Sequence, residues 1–400
     1  MAQPKKKTPI TKKSTIADLK AKMGISVSVD KGNIEGASNA DKEMEWLIMP
    51  KAFQDAVKLP GFPCGYVSTI CGHSNTGKST LINHAIVAAQ RQNTIPIIYD
   101  TENNFDFNYA IDMGFNAEPV YGMVEEEDQE TGEVREVKKI IEWTGDFFYF
   151  NSAILREMYG DIDYSTGKKG GKKRITAVIE DIVYSIKSFL EMQDSGELPY
   201  NLLFVWDSIG SIGGLKSYNS KVGNPMFDAG TMSVAMQDIM ESLIPGSRKV
   251  SAKYTNTMIV VNKVWTDSTT SPVGPPSLEL KGGKSVTYRS RLILLLGGQL
   301  KASIKRLTAT SKGLNYNWGI LTKIKVLKNQ LPSPYDLTYE GEFICTGFGI
   351  IGADKEEQDE FKKTKVPLAM KRILEQNNSE NQEIGDISFG ETVEDSVAIE

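Results

Sequence analysis

Gly72-His73-Ser74-Asn75-Thr76-Gly77-Lys78-Ser79-Thr80 is a glycine-bounded loop set between an apolar strand and an apolar helix, Leu81 to Gln90. Glycines let backbone wrap a phosphate, while the loop amides and the helix N-terminus turn positive ends toward it. Lys78 can reach the outer phosphates and Ser79 can ligate Mg2+. Two further apolar runs end in acids. Asn201-Leu-Leu-Phe-Val-Trp-Asp207-Ser208 offers Asp207 to hold Mg2+ through water. Ile97-Ile-Tyr-Asp100-Thr-Glu102 ends in two acids that strand alternation puts on one face. Glu102 is the candidate general base for an attacking water. Together these residues suit hydrolysis of a nucleoside triphosphate with Mg2+.

Such a site needs strands to carry its acids and helices to cover them. From Gly61 to about Gly349, β runs alternate with helical patterns, the mark of a largely parallel sheet under helices. Strands are expected at Tyr66–Cys71, Thr94–Tyr99, Asn201–Trp206, Asn256–Val261, Ser290–Leu296 and Leu321–Leu327. The predicted fold class is α/β, with three parts. Residues 1–50 form a basic tail and a small N-terminal module, with a capped short helix from Ser14 and a strand at Ile25–Val29. Residues 51–352 form the core, with an insertion at about 122–175. Residues 353–400 form a polar helix and an acidic tail too poor in apolar residues to offset its ordering entropy.

Bulk composition narrows the classes further. A chain of 400 residues that is 40% hydrophobic can bury one substantial core. Three cysteines, Cys64, Cys71 and Cys345, and two histidines make neither a disulfide framework nor a zinc site, which suggests a reducing compartment. No apolar run approaches the roughly 18 residues that span a bilayer, and no apolar segment follows the basic start, so a soluble intracellular protein is expected. The net charge of −5 hides an uneven distribution: a Lys-rich head, and acids without bases from Glu375 to Glu400.

Several strings in order, from about Met49 to Ile351, resemble the RecA-type recombinases, bacterial RecA and its phage counterparts. GFPCGYVSTICGHSNTGKSTL resembles the entry to the family's phosphate loop, and Glu102-Asn-Asn-Phe-Asp106-Phe-Asn-Tyr109 resembles its catalytic-glutamate segment. The resemblance implies ATP as the nucleotide, with Asp106 and Tyr109 packing on adenine. Thr257-Met-Ile-Val-Val-Asn262-Lys263 resembles the strand whose end senses the γ-phosphate, with Lys263 standing where most members carry a polar or imidazole side chain. Val264 to Lys284 resembles the second DNA-binding loop, which implicates Lys281, Gly282, Gly283 and Lys284. The first DNA loop is expected near Gly213 to Gly230, with Lys216 and Lys221 as its basic residues and Met226 or Phe227 as base wedges. Lys323-Ile-Lys-Val-Leu-Lys328-Asn-Gln330 resembles the strand that lends a lysine to the neighbouring subunit's ATP. Lys328 matches it, and Gln330 stands where cellular enzymes carry a second lysine.

By this resemblance the chain is a DNA-dependent ATPase that forms homo-oligomeric helical filaments on single-stranded DNA and exchanges strands with duplex. Single-strand-binding and mediator proteins are its expected helpers, in the cytoplasm of a bacterial or phage-infected cell. The alternatives are a ring-shaped translocase or helicase on the same fold, and a loader that scarcely hydrolyses. The basic loop Lys168, Lys169, Lys172, Lys173, Arg174 reads either as a solvated hairpin tip or as an extra phosphate contact for duplex.

Overall fold

The computed structural model describes residues 41–127, 134–164, 166–170, 173–220, 225–267, 277–280, 284–298, 301–376 and 385–397. The expected helix at Ser14, the strand at Ile25–Val29, and residues Lys172, Lys221, Lys281, Gly282 and Gly283 lie outside these. One sheet of eleven strands organises the rest. In chain order they are β1 (Val67–Gly72), β2 (Thr94–Asp100), β3 (Phe148–Asn151), β4 (Asn201–Asp207), β5 (Asn256–Asn262) and β6 (Leu292–Leu296), then β7 (Lys301–Ser311), β8 (Leu314–Asn329), β9 (Glu340–Thr346), β10 (Gly349–Gly352) and β11 (Ser388–Val397).

The first six run parallel in the order β3-β2-β4-β5-β1-β6. Beyond β6 the sheet turns antiparallel through β8, β9 and β10, while β7 pairs with the first half of β8 and receives β11 on its other side. This is the expected α/β class, with a strand at each of the six expected positions. The parallel strands are buried residue after residue because helices cover both faces, so their sequences lack alternation. On one face α1 (Lys78–Arg91) buries Leu81, Ile82, Ala85 and Ile86 against Val205 and Ile259. On the other, Ile182 and Ile186 of a helix at Ile179–Ser195 meet Phe204, Trp206 and Val260. No helix among the described residues is long and apolar enough to cross a membrane.

The segment read as an insertion divides in two. Glu118–Glu127 pairs with Val134–Thr144 in a hairpin that leaves Tyr121, Met123, Val134 and Ile141 exposed. Residues 148–151, inside the same expected insertion, are part of the core: β3 is an edge strand of the main sheet, and Phe150 packs on Tyr99. The acidic tail also departs from expectation, since residues 388–397 form β11. Its ordering is offset by a full antiparallel register on β7, whose Lys305 lies 3.7 Å from Glu391, and by Phe389 beneath Lys362.

The basic loop is corrected at one residue. Arg174 is neither a solvated tip nor a phosphate contact: its side chain is buried against the Asp181 carboxylate and donates to the carbonyls of Ile162 at 3.1 Å and Tyr159 at 2.9 Å. Lys168 and Lys169 remain exposed, and Lys173 pairs with Glu157 at 2.5 Å. Removing the guanidinium strands a buried carboxylate, so Arg174→Met is expected to destabilise the fold by about 3 kcal/mol in urea unfolding. Lys168→Ala should leave the unfolding midpoint unchanged.

Candidate nucleotide site

The loop after β1 owes its shape to two glycines. Gly72 has φ +156°, and a Cβ there would sit 2.5 Å from the Leu296 carbonyl oxygen. Gly77 has φ +91°, and a Cβ there would meet the Cys345 sulfur at 2.3 Å. Only glycine fits either place, so the loop can close over the end of β1 and launch α1 at Lys78. Within the loop the Thr76 hydroxyl donates to the His73 carbonyl at 2.9 Å, and Lys78 Nζ donates to the same carbonyl at 2.5 Å. Ser74 and Asn75 are exposed on the rim.

Beside this loop lies a cleft of about 320 Å³, walled by residues 75–80, Tyr109, residues 317–320 and residues 345–347. Tyr109 bridges its walls, donating from its hydroxyl to the Thr346 carbonyl at 2.8 Å and accepting from the Thr80 hydroxyl at 2.9 Å. Asp106 takes a different place from that expected. Its carboxylate accepts from the Tyr109 backbone N–H at 3.0 Å as the N-cap of the helix Phe107–Asp112, and it does not line the cleft. Sequence reading missed the far wall, which comes from β8 and the β9–β10 turn, more than 200 positions from the loop. Gly319 and Gly347, the glycines on that wall, were a local signal for close backbone approach.

Four charged groups, Lys78 at the start of α1 and three at or just past strand ends, converge at the same edge of the sheet, the C-terminal edge where open α/β sheets place their ligands. Lys263, just past β5, makes an ion pair with Glu102 at 2.9 Å, and the Ser208 hydroxyl donates to the same carboxylate. Partial burial works to raise the Glu102 carboxyl, but the bonds from Ser208 and Lys263 prevail and hold it below the ordinary range. Burial lowers Lys78 to about 8, against the pull of the Asp207 and Glu102 carboxylates. Burial likewise pushes Asp207 up to about 6, helped by its neighbours Glu102 and Asp100. Asn262, directly before Lys263, is fully buried at the end of β5.

Asp100 does not share Glu102's surroundings, because β2 ends at Asp100 and the alternation ends with it. Its carboxylate instead accepts from the N–H groups of Asn104 at 3.1 Å and Phe105 at 2.9 Å and from the Tyr149 hydroxyl at 2.9 Å. The donors available to a cation are the exposed Ser79 hydroxyl and the Asp207 carboxylate. Two hard oxygens beside a phosphate loop fit Mg2+, which takes one or two protein ligands and keeps phosphate oxygens and waters. No cluster of His, Cys, Asp and Glu able to hold a metal unaided occurs among the described residues.

The expected DNA-contacting residues are dispersed. Lys216 lies on a helical turn, Leu215–Tyr218, at the border of an apolar groove of about 850 Å³. Met226 and Phe227 belong to a helix, Pro225–Gln237, where a loop was expected. Val264–Asp267 and Ser277–Leu280 pair as a hairpin, and Lys284 opens the helix Lys284–Arg289. Lys328 stands at the opposite edge of the sheet from Lys78, donating to the carbonyls of Thr287 at 2.8 Å and Tyr288 at 2.7 Å.

The raised Asp207 carboxyl has a testable sign. Its folded pKa, about 6, exceeds the ordinary 3.8, so between these values the folded state binds more protons than the unfolded. Wild type should therefore lose stability relative to Asp207→Asn as pH rises from about 4 through about 6, in urea titrations of both proteins. A difference independent of pH would mean that the carboxylate is not held in this buried, crowded state.

Residues 23–142 match the family model described as the RecA N-terminal domain. The chain is 38% identical over 73 residues to Protein RecA of Mesoplasma florum, a stretch covering 17% of this chain and 22% of that protein. It is 40% identical over 67 residues to Protein RecA of Desulforapulum autotrophicum (17% and 19%), and 41% identical over 63 residues to Protein RecA of Chlorobaculum parvum (16% and 18%). The matched stretch thus spans about a fifth of the length of these curated relatives. These matches make this part of the chain similar to the N-terminal domain of RecA.

Proposed function

We propose that this chain is an ATP-dependent DNA recombinase that assembles along single-stranded DNA, pairs it with homologous duplex and exchanges strands. The observation that carries this reading is the Glu102–Lys263 ion pair, 2.9 Å long, at the root of the Val264–Leu280 hairpin. Lys263 is the residue immediately before that hairpin, which resembles the family's second DNA loop. A change in the charge met by Lys263 is thereby a change in the setting of the hairpin, so nucleotide state and DNA grip share one joint.

In this reading the loop amides of residues 72–79 and Lys78 hold the triphosphate. Ser79 and Asp207 would hold Mg2+, which would supply positive charge against that developing on the phosphates. Glu102 orients the attacking water and accepts its proton. While Lys263 and Ser208 both bond Glu102, its carboxylate is a weak base, because its pKa lies below the ordinary range. A γ-phosphate beside Lys263 competes for the ammonium, and its arrival restores basicity to Glu102. Tyr109, anchored to Thr80 and Thr346 and oriented by Asp106, presents its ring to the base of the nucleotide. The Lys-rich N-terminal residues and the lysines near the two loops supply charge to DNA phosphates.

Glu102→Gln is expected to lower ATP turnover on single-stranded DNA by roughly 100-fold or more, the usual worth of a general base, with nucleotide binding retained. Electron microscopy of wild type with ATP and single-stranded DNA should show continuous helical filaments; closed rings would favour a translocase and sink the recombinase reading. Lys263→Met should move the acidic limb of the turnover–pH profile upward, because the Glu102 carboxyl loses a bond that holds it low.

A further inference from the structure

One face of α1 grips both walls of the nucleotide cleft. Thr80 and His84 stand four residues apart on that helix, so their side chains are neighbours on its surface. The Thr80 hydroxyl donates to Tyr109 at 2.9 Å, on one wall. On the other, His84 Nε2 accepts from the backbone N–H of Ile350 at 2.9 Å. β10, which carries Ile350, is the last strand on its side of the sheet, where an outward N–H has no ladder partner. Ile350 is buried, and α1 brings it an imidazole in place of water.

The fit is close. Gly349 has φ +110°, and a Cβ there would lie 2.7 Å from the same Nε2, so no side chain fits between ring and turn. The turn itself is tied into one piece. The Thr346 hydroxyl donates to the Gly349 carbonyl at 2.8 Å and accepts from the Phe348 N–H at 3.1 Å, while the Thr346 carbonyl accepts from Tyr109. Cys345, opposite Ile350 in the β9–β10 pair, packs against Gly77 of the phosphate loop. A shift of Ile350 is thus carried through the turn to the Thr346 carbonyl and on to Tyr109. Burial, with the Arg91 guanidinium, lowers His84 to about 4, so the ring is an uncharged acceptor at neutral pH.

We infer that His84 is a positioning residue of this site: by accepting from Ile350 it ties the turn that walls the cleft to the helix that the phosphate loop launches. The inference rests on the nucleotide reading above and adds to it a residue that touches neither phosphate nor base. The loop amides take the phosphates, and the turn and Tyr109 are left to meet the nucleoside. His84 therefore governs how firmly the nucleoside half of the ligand is held, and not the cleavage at the γ-phosphate.

Calorimetry with ADP and with inorganic pyrophosphate separates the two halves, since pyrophosphate fills the loop but carries no nucleoside. His84→Leu removes the acceptor and keeps an apolar bulk. It is expected to weaken ADP binding roughly tenfold, as one orphaned buried donor gives, and to leave pyrophosphate binding unchanged. In turnover the same variant should raise the KM for ATP by a similar factor with kcat unchanged. His84→Gln, whose carboxamide oxygen can accept, should recover most of the loss. Gly349→Ala, which pushes the turn off the ring without altering α1, should reproduce the ADP-selective loss. In wild type, ADP should slow hydrogen exchange at the Ile350 amide and pyrophosphate should not, a reading that needs no variant to fold. Equal weakening of both ligands, an ADP affinity that does not change, a loss that Gln fails to mend, or exchange slowed alike by both ligands would each overturn the role of His84. A wild type that binds neither ligand would overturn the nucleotide reading itself.

Discussion

Everything at the edge that carries the glycine loop depends on holding charges of both signs close together in a half-buried place. Lys78 at the start of α1, and Glu102, Asp207 and Lys263 at or just past three strand ends, meet there, and Lys78, Glu102 and Asp207 are each shifted from their ordinary protonation behaviour by burial and by their neighbours. Burial disfavours the charged form of Lys78 and of Asp207, while the Ser208 and Lys263 bonds favour that of Glu102. Such a group of residues is sensitive to any newly arriving charge, since in a medium of low polarity a phosphate or a dication changes every partner at once. The parallel sheet is what makes this possible: only strands running the same way deliver their last residues to one edge.

Much of that edge was legible in the sequence because its parts are local. The phosphate loop needs glycines at two positions, and both glycines sit where a side chain would collide with Leu296 or Cys345. Asp207 and Glu102 were readable because an acid ending an apolar run is conspicuous. The wall opposite was not readable, because Thr346 and Gly347 reach the cleft through the pairing of β9 with β8, a relation between distant segments that leaves no local pattern. Asp106 shows a related limit. Its hydrogen bond goes to a helix N-terminus, and a short acid at such a place satisfies backbone before it can meet a ligand.

The departures from expectation elsewhere share one cause. Arg174 looked like the end of a solvated basic run, and composition gave no sign that Asp181, seven residues on, would draw its guanidinium inward. Residues 148–151 looked like part of an insertion because their strand is only four residues long, yet it extends the main sheet through β2. In each case a tertiary partner decided what local composition could not.

β11 closes the account of the sheet. A row of unpaired backbone groups on a sheet edge invites pairing with any passing strand, and here the chain covers its own edge with a segment rich in Glu and Asp. Such a cover keeps the neighbouring ladder from joining a foreign one. Among the described residues β11 pairs only with β7 and so becomes an edge in its turn, one whose sequence carries Glu391, Glu394 and Asp395, acids that disfavour a like strand laid beside it.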